Sequence, residues 1–314
     1  MFTVLSITGS IFALIGVGFA LARSGIFSEA DFATLGRFVV RIALPALILR
    51  ALLSRPLGEV FDTGYLLAVL FGSLAAFAVQ YGWARYIDKE SAIASTFRSM
   101  GAANGNSGFV GYPVLLLVIP QVAGPALALN MIVENLVMIP LALALAENAR
   151  GKAAGQTGLV TVIGGRLVRN PIIFALIVGA VLSALRVPIP PVVSRPIDML
   201  ANASSALSLV AIGGMVAAIP LRRIGGAVLS VTLGKLVVHP VLVMLGMVAV
   251  RAAGFDVSET MFAAGVLLAS VPTMSVYPVL AQQFGEERTA SQVMLVVTAL
   301  SFLTMSGVLA LLRL

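Results

Sequence analysis

The stretch GAANGNSGFVGYP, residues 101–113, decides how this chain folds. It places four glycines, two asparagines and a proline inside an otherwise apolar segment. Glycine and proline both oppose an uninterrupted helix. The tetrapeptide YPVL that ends this region begins at Tyr112 and occurs again at Tyr277, 165 residues later. The sequence therefore predicts an interrupted helix at two corresponding places.

The composition identifies the surroundings of the chain as a lipid bilayer. Of 314 residues, 60% are hydrophobic and 11% are charged, with a mean hydropathy of +1.07. Soluble domains are about half apolar and a quarter charged. The chain has no cysteine and one histidine, which excludes disulfides and thiolate or histidine-rich metal centres. The net charge of +7 comes from basic residues scattered between apolar segments, so nucleic acid is not an expected partner.

Apolar segments of about 20 residues are long enough to cross a bilayer. We predict ten spans, and the first is interpreted as a retained helix because it lacks the features of a signal peptide. The predicted spans are residues 3–22, 33–53, 64–84, 92–118, 124–146, 167–185, 194–219, 226–250, 259–283 and 290–312.

The distribution of lysine and arginine predicts the orientation. With the N-terminus outside, twelve basic residues fall on the inner side and six on the outer side. Cytoplasmic loops carry the excess of positive charge. We therefore predict a multi-pass protein of the bacterial inner membrane with both termini in the periplasm.

A shift of 165 residues brings further segments into register. RIALPALIL (41–49) aligns with ALSLVAIGG (206–214), and the fifth span aligns with the tenth. Two halves of five spans each have opposite orientations, because five is odd. The prediction is a first repeat at 1–147, a cytoplasmic linker at 148–165 and an inverted second repeat at 166–314.

This pattern predicts the fold class. Inverted repeats whose interrupted helices meet at the midplane are typical of secondary transporters. The fourth span contains residues 101–113, and the ninth contains SVPTMSVYP (270–278). We expect an all-α membrane protein of ten helices in two inverted five-helix repeats, with interrupted, crossing fourth and ninth helices. Pro113 and Pro278 are predicted to mark the interruptions and to free backbone groups for binding.

Several segments resemble the auxin efflux carrier family. NSGFVGYP (106–113) is similar to its crossover motif in the fourth helix. Five further segments resemble its second, sixth, seventh, eighth and tenth helices: LPALIL (44–49), RNPIIFALIVG (169–179), LSLVAIGGMV (207–216), KLVVHPVL (235–242) and TALSFLT (298–304).

The resemblance implies an elevator transporter related in fold to bile-acid symporters and sodium/proton antiporters. A scaffold, about 1–55 and 166–220, would form a homodimer, and a transport domain, about 62–147 and 225–314, would move. The resemblance implies malonate, malate or similar organic anions as substrates. The linker of fewer than twenty residues departs from the long central loop of the plant carriers.

Polar residues without a counterpart in the other half are the candidate site residues. Asn106 aligns with Val271, and Asn104 aligns with Ala269. An amide donates to carboxylates, and a helix N-terminus favours anions. The resemblance implies that Asn106 contacts substrate carboxylate, although an asparagine here could also cap the interruption. Ser107 could do either.

The ninth span supplies hydroxyl groups at its interruption. Thr273 and Ser275 lie between its two prolines and either line the site or satisfy freed carbonyl groups. Tyr112 and Tyr277 correspond to each other, which favours a packing role for both.

Ionisable residues inside spans are functional candidates by default. Glu134 shares a helical face with Asn130 and is predicted to bind substrate or to carry a coupling proton, or else to form a buried salt bridge. Lys235 and His239 share a face of the eighth span and could attract an anion or neutralise Glu134, and His239 could instead cap the kink at Pro240. Arg41 is expected to reach an interface or another helix.

The sequence therefore predicts a secondary transporter of small organic anions. It predicts no enzyme activity and no cofactor, and it leaves H⁺ or Na⁺ open as the coupling ion. An anion channel is one alternative. The other is a rhomboid-like protease, because GNSG (105–108) matches the GxSG phrase and Ser107 could pair with His239.

Overall fold

The computed structural model describes residues 2–54, 61–151, 170–220 and 224–312, and these residues form helices without named strands. Most of the predicted linker, residues 152–165, lies outside the described residues. Twelve helical segments are described: α1 (Phe2–Arg23), α2 (Glu29–Leu53), α3 (Thr63–Ile87), α4 (Ala92–Ala103), α5 (Ser107–Val118), α6 (Pro120–Ala149), α7 (Pro171–Ala184), α8 (Pro191–Ala217), α9 (Gly226–Ala252), α10 (Glu259–Ser270), α11 (Tyr277–Gln282) and α12 (Glu287–Leu311).

The length and composition of the helices establish a multi-pass membrane protein. Among the described residues, six helices are long and apolar enough to cross a bilayer: α2, α3, α6, α8, α9 and α12. Four shorter apolar segments accompany them. The number of ten spans, the inverted repeat and the elevator architecture stay predictions.

Two helical interruptions lie against each other. The chain becomes extended at Asn104, after α4, and at Val271, after α10. Gly105 and Thr273 form an antiparallel bridge, and the Asn106 N–H donates to the Pro272 carbonyl oxygen over 2.7 Å. Backbone groups released from a helix inside a membrane need protein partners. Each interruption supplies them to the other, and we call this contact the crossing.

Neither repeated proline stands at the interruption itself, which corrects the prediction. Pro113 lies inside α5, seven residues beyond Asn106, and Pro278 is the second residue of α11. A proline in the first turn of a helix costs no hydrogen bond, since that N–H has no partner there. The first interruption coincides instead with the Asn104–Gly105–Asn106 run.

The internal prolines are accommodated by π-helical turns. Of the five π-helical turns among the described residues, four are followed by a proline two residues later. In each of the four, the residue before the proline donates its N–H to the carbonyl five residues back. Proline crowds the carbonyl of the preceding α-turn, and the wider turn relieves that contact. The four turns are Val39–Ala43, Ser107–Gly111, Val133–Met138 and Gly234–Val238.

The helices pack in two neighbourhoods. Helix α8 packs on α1 and α2, and α7 packs on α2; helix α3 packs on α4, α9 and α10, and α9 packs on α4 and α10. The approach of α1 to α8 is unusually close, since a Cβ atom on Gly213 would lie 1.9 Å from the Ile15 carbonyl oxygen. Only glycine fits at such a helix contact. The predicted division into scaffold and transport domain stays a prediction.

Candidate functional site

The crossing contains three buried polar atoms without a hydrogen-bond partner among the described residues. They are Asn104 Oδ1, Asn106 Nδ2 and Thr273 Oγ1. All three side chains are at most 4% exposed. Most buried polar atoms in proteins have a partner, and an orphaned one costs about 1–3 kcal/mol. Their concentration where two helices are interrupted is typical of a place where a ligand supplies the missing bonds.

A hydrogen-bonded chain leads from α3 to Glu134. Tyr65 Oη donates to Asn130 Oδ1 over 2.8 Å, and Asn130 Nδ2 donates to Ser107 Oγ over 3.2 Å. Ser107 Oγ then donates to Glu134 Oε1 over 2.6 Å. Every donor points toward the carboxylate, so the chain favours negative charge at Glu134.

A second hydrogen-bonded chain includes the buried Lys235. Its Nζ donates to the Ala269 carbonyl oxygen over 2.7 Å and lies 2.8 Å from His239 Nδ1. His239 Nε2 is 3.0 Å from Ser73 Oγ. A protonated lysine only donates, so Nδ1 is the acceptor and the ring hydrogen resides on Nε2. His239 therefore contacts Lys235 through its side chain, as expected for a shared face, and the cap at Pro240 was the alternative.

Each of the two hydrogen-bonded chains reaches a different interruption. Glu134 is bonded to Ser107, the first residue after one interruption, and Lys235 is bonded to Ala269, just before the other. Glu134 and Lys235 attract each other without a direct ion pair. The predicted salt bridge is therefore a separated pair. Ser107, Glu134 and Lys235 all occupy π-helical turns, which are frequent at functional sites.

Three predicted site residues lie outside this buried cluster. Ser275 and Pro278 line a cavity of about 640 Å³ between α2 and α8 on one side and α11 and α12 on the other. The cavity also contains Phe109, Arg37 and Arg41. It reaches the segment that joins α10 to α11, so it adjoins the crossing. Pro113 lies buried inside α5.

Further along α2, polar contacts close the interface between α2, α5 and α8. Arg50 Nη2 donates to Tyr112 Oη over 2.9 Å, and Nη1 donates to Asn202 Oδ1 over 2.5 Å. Ser208 Oγ donates to the Phe109 carbonyl oxygen over 2.8 Å. We call these three hydrogen bonds the α2–α5 seal. Tyr112, expected to serve packing, therefore has a polar role.

Sequence reasoning missed Tyr65, Ser73, Arg50 and the cavity position of Arg41. Tyr65 and Ser73 had a signal, because two polar residues eight positions apart lie near one face of an apolar helix. Arg50 had none, since its partners lie on other helices, and the cavity beside Arg41 is lined by residues distant in sequence.

Comparison with known proteins identifies the family of this chain. A family model described as "Membrane transport protein" matches residues 8–309, which include both interruptions and the residues of both hydrogen-bonded chains. The chain belongs to the auxin efflux carrier family of membrane transport proteins.

This family member is also similar to individual proteins. It is 30% identical over 304 residues to the "Putative malonate transporter" of Rhizobium meliloti (strain 1021), covering 96% of this chain and 93% of that protein. It is 33% identical over 107 residues to an "Uncharacterized transporter" of Methanothermobacter thermautotrophicus, covering 33% of this chain and 35% of that protein. The general function of the protein is therefore membrane transport.

The protease alternative has no support in the geometry. Ser107 donates to Glu134, whereas the His239 ring contacts Ser73 and Lys235. A serine nucleophile needs its base within hydrogen-bond reach, and here each residue of the suggested pair is engaged elsewhere.

Proposed function

We propose that this auxin efflux carrier family member is a secondary transporter of small organic anions that binds substrate carboxylate at the crossing. The unpartnered atoms there carry the proposal. Asn106 Nδ2 and Thr273 Oγ1 are donors that fit carboxylate oxygens. Asn104 Oδ1 is an acceptor and fits a hydroxyl or a protonated carboxyl group. The two interruptions thus offer a mixed donor and acceptor set suited to a short carboxylic acid.

Malonate is the first substrate to test. The similarity to the Rhizobium meliloti protein covers nearly the whole of both chains, and its name specifies malonate. Malate and other short acids belong to the same chemical class and complete the panel. The same measurements determine the direction of transport. They also show whether monocarboxylates or dicarboxylates are preferred as substrates.

Glu134 is the proposed proton carrier. An ionised Glu134 close to the crossing repels a bound anion, and two unit charges about 4 Å apart cost about 4 kcal/mol at an effective dielectric constant of 20. Protonation of Glu134 removes this repulsion and couples proton binding to anion binding. Lys235, beside the other interruption, supplies attraction for the anion. Na⁺ is the competing coupling ion, because Asn104 and Thr273 also offer oxygen atoms.

The unequal surroundings of the crossing support alternating access as the proposed mechanism. The cavity approaches it from one side, while the α2–α5 seal closes the contact of α5 with α2 and α8. In the proposed elevator movement, the transport domain slides against the scaffold, the seal breaks and the cavity closes. The scaffold helices α1, α2, α7 and α8 would form the homodimer interface.

The decisive experiment compares Asn106→Ala with Asn148→Ala. Asn148 is exposed near the end of α6 and serves as the matched control. Asn106→Ala is expected to weaken malonate binding to the purified protein by about 1–3 kcal/mol, the cost of an unsatisfied buried partner. Asn148→Ala should bind like the wild type. A well-folded Asn106→Ala protein with wild-type affinity would overturn the site.

Uptake into proteoliposomes tests the coupling. With an imposed pH gradient, Glu134→Gln should abolish driven accumulation and spare exchange at equal pH. Accumulation driven by a Na⁺ gradient alone would remove Glu134 from the coupling step. Uptake that fails to saturate with substrate would favour the channel alternative.

A further inference from the structure

Arg41 occupies the middle of a long apolar helix. It is the thirteenth of the 25 residues of α2. At 1.5 Å per residue it lies about 18 Å along the axis from either end of the helix. A lipid headgroup at either end is therefore too distant to pair with a side chain at this position. A charged side chain at such depth is costly and is kept for a function.

The Arg41 side chain is exposed and has no hydrogen bond or ion pair within the described ranges. The other arginines of α2 differ. Arg37 donates to Thr34 Oγ1 over 2.7 Å, and Arg50 takes part in the α2–α5 seal. The guanidinium of Arg41 therefore retains its donors for a ligand.

The cavity gives this guanidinium access to an anion. Arg41 lines its α2 wall, and Ser275 and Pro278 line the opposite wall. The acidic residues on the cavity, Glu29 and Glu287, are the first residues of α2 and α12. Glu29 is twelve residues from Arg41, about 18 Å along the helix, and Glu287 forms no ion pair with it. Arg41 is therefore not neutralised by an ion pair with either glutamate of the cavity.

We propose that Arg41 is a carboxylate-binding residue of the cavity that captures the organic anion before it reaches the crossing. A guanidinium forms two parallel hydrogen bonds with a carboxylate, so it binds this group better than a point charge does. Ser275 is two residues from Thr273 in the segment that joins α10 to α11. An anion held between Arg41 and this segment is therefore adjacent to the donors of the crossing. This inference rests on the proposed function and assigns its scaffold-side ligand.

The test measures malonate binding to purified wild type, Arg41→Gln, Arg41→Lys and Arg37→Gln at low and high NaCl concentration. Arg37 lines the same cavity one helical turn before Arg41 but already donates to Thr34, so it is the matched control. Arg41→Gln should weaken binding roughly ten-fold or more, as expected for a lost charged hydrogen bond, and should reduce its salt dependence. Arg41→Lys should retain the salt dependence with intermediate affinity, and Arg37→Gln should bind like the wild type.

The outcomes separate the two proposals. Wild-type affinity and salt dependence in Arg41→Gln overturn the role of Arg41 while leaving the crossing intact. Equal losses in Arg41→Gln and Arg37→Gln indicate a general cavity charge and also overturn it. If Arg41→Gln fails to fold, Arg41→Lys decides, because loss of the salt dependence in that charged variant contradicts the proposal. Failure of the wild type to bind any short organic acid overturns the proposed function itself.

Discussion

The two copies of YPVL occupy different surroundings. Tyr112 lies where α5 meets α2 and α8, and its hydroxyl accepts a hydrogen bond from Arg50. Tyr277 is 1% exposed and begins α11. Its ring packs so closely on α4 that a Cβ atom on Gly101 would lie 2.8 Å from the ring. One tetrapeptide therefore serves a polar helix interface in one place and a tight apolar contact in the other.

The difference between the two copies shows which structural features an internal sequence repeat predicts. Both copies lie just beyond an interruption, so the repeat indicates where the two helices stop. The neighbouring helices then assign each tyrosine its role, since Arg50 and Asn202 approach the first copy and Gly101 faces the second. The first contact depends on side-chain hydrogen bonds that can break and reform. The second depends on close packing, which tolerates little movement.

The largest effect is expected when the ring of Tyr277 is removed. Tyr277→Ala leaves a cavity between α4 and α11 and should destabilise the protein by about 3–5 kcal/mol, as other buried aromatic truncations do. Thermal unfolding in detergent measures the loss. Tyr86→Ala is the control, because Tyr86 is 77% exposed. A Tyr277→Ala protein as stable as this control would contradict the packing role.

An intermediate effect is expected at the first copy. Tyr112→Phe removes one charged hydrogen bond of the α2–α5 seal. The free energy that holds this interface closed should fall by about 1–3 kcal/mol. The native chain has no cysteine, and Ser204 of α8 is buried one helical turn before Ser208, so Ser204→Cys reports on the opening of this interface. Thiol labelling of Ser204→Cys should accelerate several-fold when Tyr112→Phe is added. An unchanged labelling rate, or an equal response to Tyr277→Phe, would remove the distinction between the two copies.

The smallest effect is expected at Glu286, which follows α11. Burial, and then repulsion by Glu90, raise the pKa of Glu286 above its ordinary value of 4.5. The folded protein therefore holds this proton more tightly than the unfolded chain. Its stabilising contribution is complete below pH 4.5 and is lost as pH rises through the folded pKa.

Glu286→Gln should accordingly raise the unfolding temperature slightly at neutral pH. The unfolding temperature of this variant should also depend less on pH above pH 4.5. Glu287→Gln, at the neighbouring position, is the control. A profile identical to that of the wild type would show that this carboxyl group is not titrated differently by folding.

The sequence predicts the positions of the helices well because apolar runs and glycine–asparagine interruptions are local signals. It predicted both interruptions and the polar residues beside them. It did not predict where the first helix stops relative to Pro113, because a proline inside a span fits either a break or a π-helical turn. The outcome depends on whether the residue before the proline donates its N–H to the carbonyl five residues back, as Tyr112 does to Ser107.

Contacts between helices that are distant in sequence could not be predicted from local sequence patterns. Arg41 and Arg50 are both single arginines in the apolar α2, and their immediate sequences are similar in character. One lines a cavity and the other is bonded to Tyr112 and Asn202. Lys235 likewise bonds to the Ala269 carbonyl, a group that becomes available only because α10 ends there. Such roles are set by the tertiary arrangement.

The crossing also has a consequence for the synthesis of the protein. Helix α4 has twelve residues and is about 18 Å long, too short to cross about 30 Å of hydrocarbon by itself. The backbone partner of Gly105 is Thr273, about 170 residues later in the chain. At roughly 5–20 residues per second, the ribosome supplies that partner about 10–30 s later. During this interval the polar groups of the first interruption need shelter from lipid, so membrane insertion of the first half is completed only when the second half arrives.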